Sequence, residues 1–232
     1  MNRAVFEELI STFLEKGYRF VKFDEFNENL NSQIILRHDV DFCVQHAFEM
    51  ADLEYSLGVS STYYFLLSSD SYNLLSDKNV KAVNNILAMG HSIGLHFDPT
   101  PYEDEYTGFE RELKFFEDTF GPMSSMSFHR PSDKILEGVD WLPSQLIGAY
   151  QNKYFKEIAY ISDSGGSFRF GHPFDHKAFI GKQNIQLLIH PIWWMTKEIN
   201  VIDKIKGFLI HNSNAMSEHI SKNCKPWKQH AD

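Results

Sequence analysis

Apolar residues in this chain alternate between short continuous runs and longer stretches with helical spacing. Phe6, Leu9, Ile10, Phe13 and Leu14 form a helical stripe that stops at Lys16-Gly17, and Tyr18 to Phe23 reads as a short strand. Ile34-Ile35-Leu36 is a buried strand, and Val44, Ala47, Met50, Ala51 and Leu57 share one helical face closed by Gly58. Thr62 to Leu67 is rich in β-formers. Asp77 predicts the N-cap of a helix carrying Val80, Val83 and Leu87 and ended by Gly90. Ser92 to Phe97 follows as a strand, then a stripe of Phe109, Leu113, Phe116 and Phe120 ended by Gly121. Met126 to His129, Ile158 to Ile161 and Ile185 to Ile189 are further strands, and Ile199, Ile202, Ile205 and Leu209 begin a C-terminal helix. The stretch 131–184 is less regular.

Strand-helix alternation is the signature of βαβ units around a parallel sheet, whose strands, covered on both faces, read as unbroken apolar runs. The chain contains neither a Gly-x-Gly-x-x-Gly turn nor a Walker lysine loop, so a nucleotide-binding doubly wound sheet lacks its marker. The expected fold is α/β, a distorted and incomplete (β/α) barrel of parallel strands. One domain over 1–232 is expected, with an N-terminal helix-strand extension, because no repeat, low-complexity tract or flexible linker divides the 232 residues.

Composition narrows the partners. A net charge of -9 repels phosphate backbones, so no broad nucleic-acid face is expected. No run approaches the ~20 apolar residues of a membrane span. Two cysteines, Cys43 and Cys224, and no secretory leader pattern lead to a cytoplasmic, reducing location as the expectation.

Among the 11 histidines, position separates the chemical ones from the rest. Each strand run is followed by reactive residues: Arg37-His38-Asp39-Val40-Asp41, His96-Phe97-Asp98, His129-Arg130-Pro131, Ser162-Asp163-Ser164 and His190-Pro191. In β/α barrels, active sites form at the C-terminal strand ends. Asp39 and Asp41 share a face of an extended chain, as do His96 and Asp98. Such a His and carboxylate set suits a hard-to-borderline cation, with zinc first in rank and nickel or cobalt as alternatives. His91 sits at a helix-to-strand junction and reads as structural. His211, His219 and His230 read as solvated surface, and His172 and His176 as loop residues. Trp193 and Trp194 read equally as a sugar-stacking wall or as core.

These motifs, taken in order with Gly90-His91-Ser92-Ile93-Gly94-Leu95-His96, Phe128-His129-Arg130-Pro131 and Leu187-Leu188-Ile189-His190, resemble the polysaccharide deacetylase superfamily, the NodB-homology group of carbohydrate esterases. The Arg-His-Asp-Val-Asp form is similar to a divergent branch associated with bacterial O-antigen and surface-polysaccharide synthesis. The resemblance spans about Ile34 to Trp194. It implies metal-dependent removal of an N- or O-acetyl group from a sugar. Carried over residue by residue, it makes Asp39 the general base, Asp41 the metal-binding acid, His96 the first metal histidine and Arg130 the arginine that orients the base. It also makes Asp163 the support of the general acid His190, and Leu187 or Leu188 the seat of the acetyl methyl. The family's two acids are adjacent, whereas Val40 separates them here.

A second metal histidine belongs four residues after the first in that family, and Thr100 stands there. The third ligand must come from elsewhere, and Asp98, on the same strand face as His96, ranks ahead of His129. The substrate implied is an amino sugar, free or carried on a nucleotide or lipid. Two other readings stay open at this stage. One is a degenerate sugar-binding protein without catalysis, and the other is an amidohydrolase acting on a non-sugar amide.

Overall fold

The computed structural model describes residues 1–228; His230 lies outside the described residues. The chain opens with α1 (Arg3–Glu15), capped by the Asn2 side chain accepting from the Val5 amide. It continues through β1 (Arg19–Val21), β2 (Gln33–Val40), α2 (Val44–Ser56), β3 (Thr62–Phe65), α3 (Asp77–Ala88), β4 (Ser92–Phe97) and α4 (Glu105–Phe120). Then come β5 (Ser125–Phe128), α5 (Asp133–Glu137), β6 (Ile147–Gly148), α6 (Asn152–Phe155) and β7 (Ala159–Ser162). The chain closes with α7 (Lys177–Ile180), β8 (Ile185–Ile189), α8 (Val201–Asn223) and α9 (Lys225–Lys228).

The strands form one sheet in the order β6-β5-β4-β3-β2-β8-β7, with β1 paired to β2. Every pair is parallel. Among the described residues β6 and β7 do not pair, so the sheet curls without closing. The fold is an incomplete α/β barrel, as the strand-helix alternation predicted. The opening falls where the sequence is least regular. Between β5 and β8 the connections hold only helices of three to five residues, and β6 is two residues long.

The period-two alternation of β2 sorts its side chains into two layers. Ile34, Leu36 and Val40 join the helices' apolar faces, including Phe6, Phe13, Val44 and Met50, in the main core. Ile35 points to the other side, where it packs with Val21, Phe23, Tyr64, Ala149 and Tyr154 in the floor of the lumen. Arg37 and Asp39 follow on that inner face. The floor is tight: a Cβ on Gly94 would sit 2.3 Å from the Ser125 carbonyl and 2.6 Å from the Tyr64 ring.

β2 does not stop at Leu36. It runs through Arg-His-Asp-Val, and all eight of its residues are buried. The motif survives burial because its polar groups are partnered on each face: Arg37 with Asp39 inside, His38 with Glu54 outside. The helix assigned to Asp77 starts one residue earlier than expected, with Ser76 at the cap position.

Candidate active site

The five strand ends meet at one rim. Asp39 leaves β2 into the lumen, where Arg37 grips it with two bonds, Nε to Oδ1 at 3.1 Å and Nη2 to Oδ2 at 2.8 Å. Arg37 is itself fully buried and bonds Gln186 Oε1, Ser127 Oγ and the Tyr150 hydroxyl. Burial pushes the Asp39 carboxyl up, but the Arg37 charge and nearby His96 outweigh it, and the group sits below its ordinary range.

This corrects the role expected for Arg130. Arg130 bonds Asp98, Nη2 to Oδ2 at 2.8 Å, and its side chain is 68% exposed. The arginine beside Asp39 comes from the same strand two residues earlier. Residues i and i+2 share a strand face, so this pairing was written in the motif.

Asp41 stands just beyond β2. Its Oδ1 is buried without a hydrogen-bond partner, 3.3 Å from His96 Nε2 and 3.9 Å from His129 Nε2. Ligand atoms ~2.0–2.1 Å from a tetrahedral zinc stand roughly 3.4 Å apart. Asp41, His96 and His129 therefore have the donor set and spacing of a three-residue metal site, and their ligand atoms lie within 4.8 Å of one another. An orphaned carboxylate oxygen between two imidazoles is what a cation would satisfy. The register of β4 with β5, His96 opposite Ser127 and Phe97 opposite Phe128, brings the two histidines together, with ring centroids 5.1 Å apart.

Asp98, ranked first as the third ligand, does not point into this set. Its Oδ2 accepts from His129 Nδ1 at 2.9 Å and its Oδ1 from the Thr100 hydroxyl at 2.7 Å and amide at 3.0 Å. Burial raises its carboxyl, but the Thr100, His129 and Arg130 bonds win and hold it far below the ordinary range. Asp98 thus places the His129 proton on Nδ1 and turns Nε2 toward Asp41, the role outer carboxylates play for metal-binding histidines. Thr100, where the family has a histidine, anchors Asp98. The expected consequence is graded: His129→Ala abolishes stoichiometric metal binding, while Asp98→Asn weakens it by ~10–100-fold. Metal titration of both variants checks this, and equal losses would return Asp98 to the ligand set.

Across the rim, Asp163 follows β7 and His190 follows β8. His190 Nδ1 lies 2.6 Å from Asp163 Oδ1, and the His190 amide donates to both carboxylate oxygens at 3.1 Å. Trp194 Nε1 donates to Asp163 Oδ2 at 2.7 Å. Burial disfavours the His190 cation, but the Asp163 charge and hydrogen bond prevail, and its pKa is raised to about 9. Its Nε2 is 3.8 Å from Asp41 Oδ2, facing the candidate metal site.

The two tryptophans are not a sugar wall. Trp194 and Trp193 are 1% and 6% exposed and belong to the main core. Trp194 contributes to the site only through Asp163. Leu187 also lies in that core, whereas Leu188, opposite Arg37 in the register, faces the lumen. His91 is structural, accepting from the Ser61 amide at 3.2 Å. His211 and His219 are exposed.

No protein-family model and no curated protein matches this chain. Among solved structures it is similar to a chitin deacetylase from the fungal pathogen Colletotrichum lindemuthianum. That likeness has 14% identity and a TM-score of 0.46, over 77% of this chain and 81% of that one. A peptidoglycan N-acetylglucosamine deacetylase gives 14% identity and a TM-score of 0.46 over 88% and 90%. A family 4 carbohydrate esterase from Bacillus anthracis gives 14% and 0.42 over 88% and 84%. Likenesses this distant assign no activity to this chain.

Proposed function

We propose that this chain is a metal-dependent hydrolase that removes an N-acetyl, or O-acetyl, group from a sugar. The observation that carries the proposal is the orphaned Asp41 oxygen between His96 and His129, set between a buried Asp39–Arg37 pair and a buried Asp163–His190 pair. Two histidines and one carboxylate leave a position open for water, the pattern of catalytic zinc sites. Asp41, His96 and His129 would hold a divalent ion, which would supply polarisation of a carbonyl and a more acidic water. Asp39, kept ionised by Arg37, accepts the proton of the attacking water. Asp163 holds the His190 ring through Nδ1, and His190 delivers a proton from Nε2 to the departing nitrogen. Leu188 offers the methyl group an apolar seat beside Arg37.

The finer reading rests on the Arg-His-Asp-Val-Asp resemblance. The sugar is an amino sugar of surface-polysaccharide assembly, carried on a nucleotide or lipid and handled in the cytoplasm, with zinc as the resident ion. Acetate release from a panel of N-acetyl sugars, set against cyclic amides, tests substrate class. The assay follows chelation and restoration of zinc, nickel or cobalt, with bound metal quantified. A metal-loaded protein that releases acetate from no sugar would sink the proposal.

His190→Ala is expected to cut turnover of an N-acetyl sugar by ~10²–10⁴-fold while leaving an activated aryl acetate almost unaffected. A good leaving group departs without a proton. Equal losses on both substrates would assign His190 to binding or folding instead.

A further inference from the structure

The residue between Arg37 and Asp39 takes no part in the chemistry proposed above. His38 points away from the lumen and is fully buried, with Nε2 2.7 Å from Glu54 Oε1 and Nδ1 3.2 Å from the Ile189 carbonyl oxygen. Glu54 is buried too, and its Oε2 accepts from the Ser61 hydroxyl at 2.6 Å and the Tyr63 hydroxyl at 2.8 Å. Phe6 and Tyr63 close around the imidazole, with ring centroids at 6.2 and 4.5 Å. Both ring nitrogens therefore meet oxygen acceptors. A histidine satisfies two acceptors only by donating from both nitrogens, and the Glu54 carboxylate balances the charge this creates.

The carbonyl that His38 meets belongs to the peptide joining Ile189 to His190. The other end of that peptide, the His190 N–H, donates to both oxygens of Asp163. One peptide plane is thus pinned at both ends, its carbonyl by His38 of β2 and its N–H by Asp163 just past β7, the strands on either side of β8. The register fixes the partners, since His38 is paired with Ile189 in the β2–β8 ladder.

We infer that His38 is a positioning residue: braced by Glu54, it anchors the Ile189–His190 peptide and so fixes the direction in which the His190 ring enters the site. This rests on the reading of His190 as proton donor. It also accounts for the polar residue at the middle of Arg-His-Asp, where an apolar residue would satisfy the outer core but leave the peptide held at one end.

The test has three readings. In wild-type protein, nitrogen NMR of His38 should show protons on both ring nitrogens; a bare Nδ1 overturns the inference without any variant. His38 substitutions are made in a Glu54→Gln background, so that removing His38 strands no buried carboxylate, and are read against Glu54→Gln itself, in which a neutral His38 still donates from Nδ1. There, His38→Leu should raise the hydrogen-exchange rate of the His190 amide and lower turnover of an N-acetyl sugar by roughly 10–100-fold. Hydrolysis of an activated aryl acetate should stay unchanged. His38→Asn, which returns an N–H to the Nδ1 position, should restore both. Unchanged exchange at His190, parallel loss on both substrates, or no rescue by asparagine would each overturn the assignment. If wild-type protein hydrolyses no N-acetyl sugar while the exchange and NMR results hold, the proposed function fails and the anchoring stands.

Discussion

Arg37→Met is expected to cost about 3–5 kcal/mol of stability and to abolish turnover, whereas Arg130→Met should change stability by no more than ~0.5 kcal/mol. Arg37 is completely buried, and its removal leaves the Asp39 carboxylate buried at 3% exposure without its bidentate partner. The Gln186, Ser127 and Tyr150 groups around the guanidinium lose their donor as well. Arg130 has a mostly solvated side chain, and its loss takes one of several bonds from Asp98. Breaking a buried pair costs more than replacing it, so Arg37→Met/Asp39→Leu should recover much of the stability and none of the activity. The pH dependence has a definite sign. Arg37 holds the folded Asp39 below its ordinary value, so the pair's stabilisation is complete above the unfolded carboxylate pKa of ~3.9 and is lost as pH falls through the folded one. Arg37→Met should lose less stability on acidification than its parent does. Denaturant unfolding of metal-free proteins across pH checks both statements. Arg130→Met as damaging as Arg37→Met would restore the family's usual assignment.

That contrast marks where the sequence was legible. The parallel strands and the rim were readable because buried strands carry continuous apolar runs and because polar residues follow each run. The convergence of Asp41, His96 and His190 follows from barrel geometry alone. What sequence reading missed lies one step outward, among groups that hold the reacting ones. Asp98 looked like a ligand because it shares a strand face with His96. It turned out to support His129, because the chain bends after Phe97 and Thr100 takes hold of its carboxylate. Face-sharing predicts direction within a strand and is silent beyond its last residue, and β4 ends at Phe97. Trp193 and Trp194 were ambiguous in sequence, since an aromatic pair after a strand suits a wall and a core equally. The short turn at Pro191–Trp193 folds them back into the core. His38 was invisible as a functional residue because its partner Glu54 lies sixteen positions away on the buried, sheet-facing side of α2, a helix that reads as ordinary packing.

Asp39→Asn should lower turnover on N-acetyl sugars by ~10²–10⁴-fold while the protein keeps its metal. The carboxamide has nearly the shape of the carboxylate, but its nitrogen cannot accept the water proton. Metal retention is expected from the geometry: Asp41, His96 and His129 are the candidate ligands, and Asp39 stands behind them, 3.7 Å from His96 Nε2. The variant leaves Arg37 buried beside a neutral group, so stability should fall as well, and activity must be measured well below the variant's unfolding temperature. Loss of metal together with activity would move Asp39 into the ligand set. Wild-type turnover with metal in place would remove it from catalysis. The double variant Asp39→Asn/His190→Ala separates a shared mechanism from two independent contributions. Groups that act in one reaction are strongly non-additive, so the double loss should barely exceed the larger single one. A product of the two single losses would mean that Asp39 and His190 serve different steps.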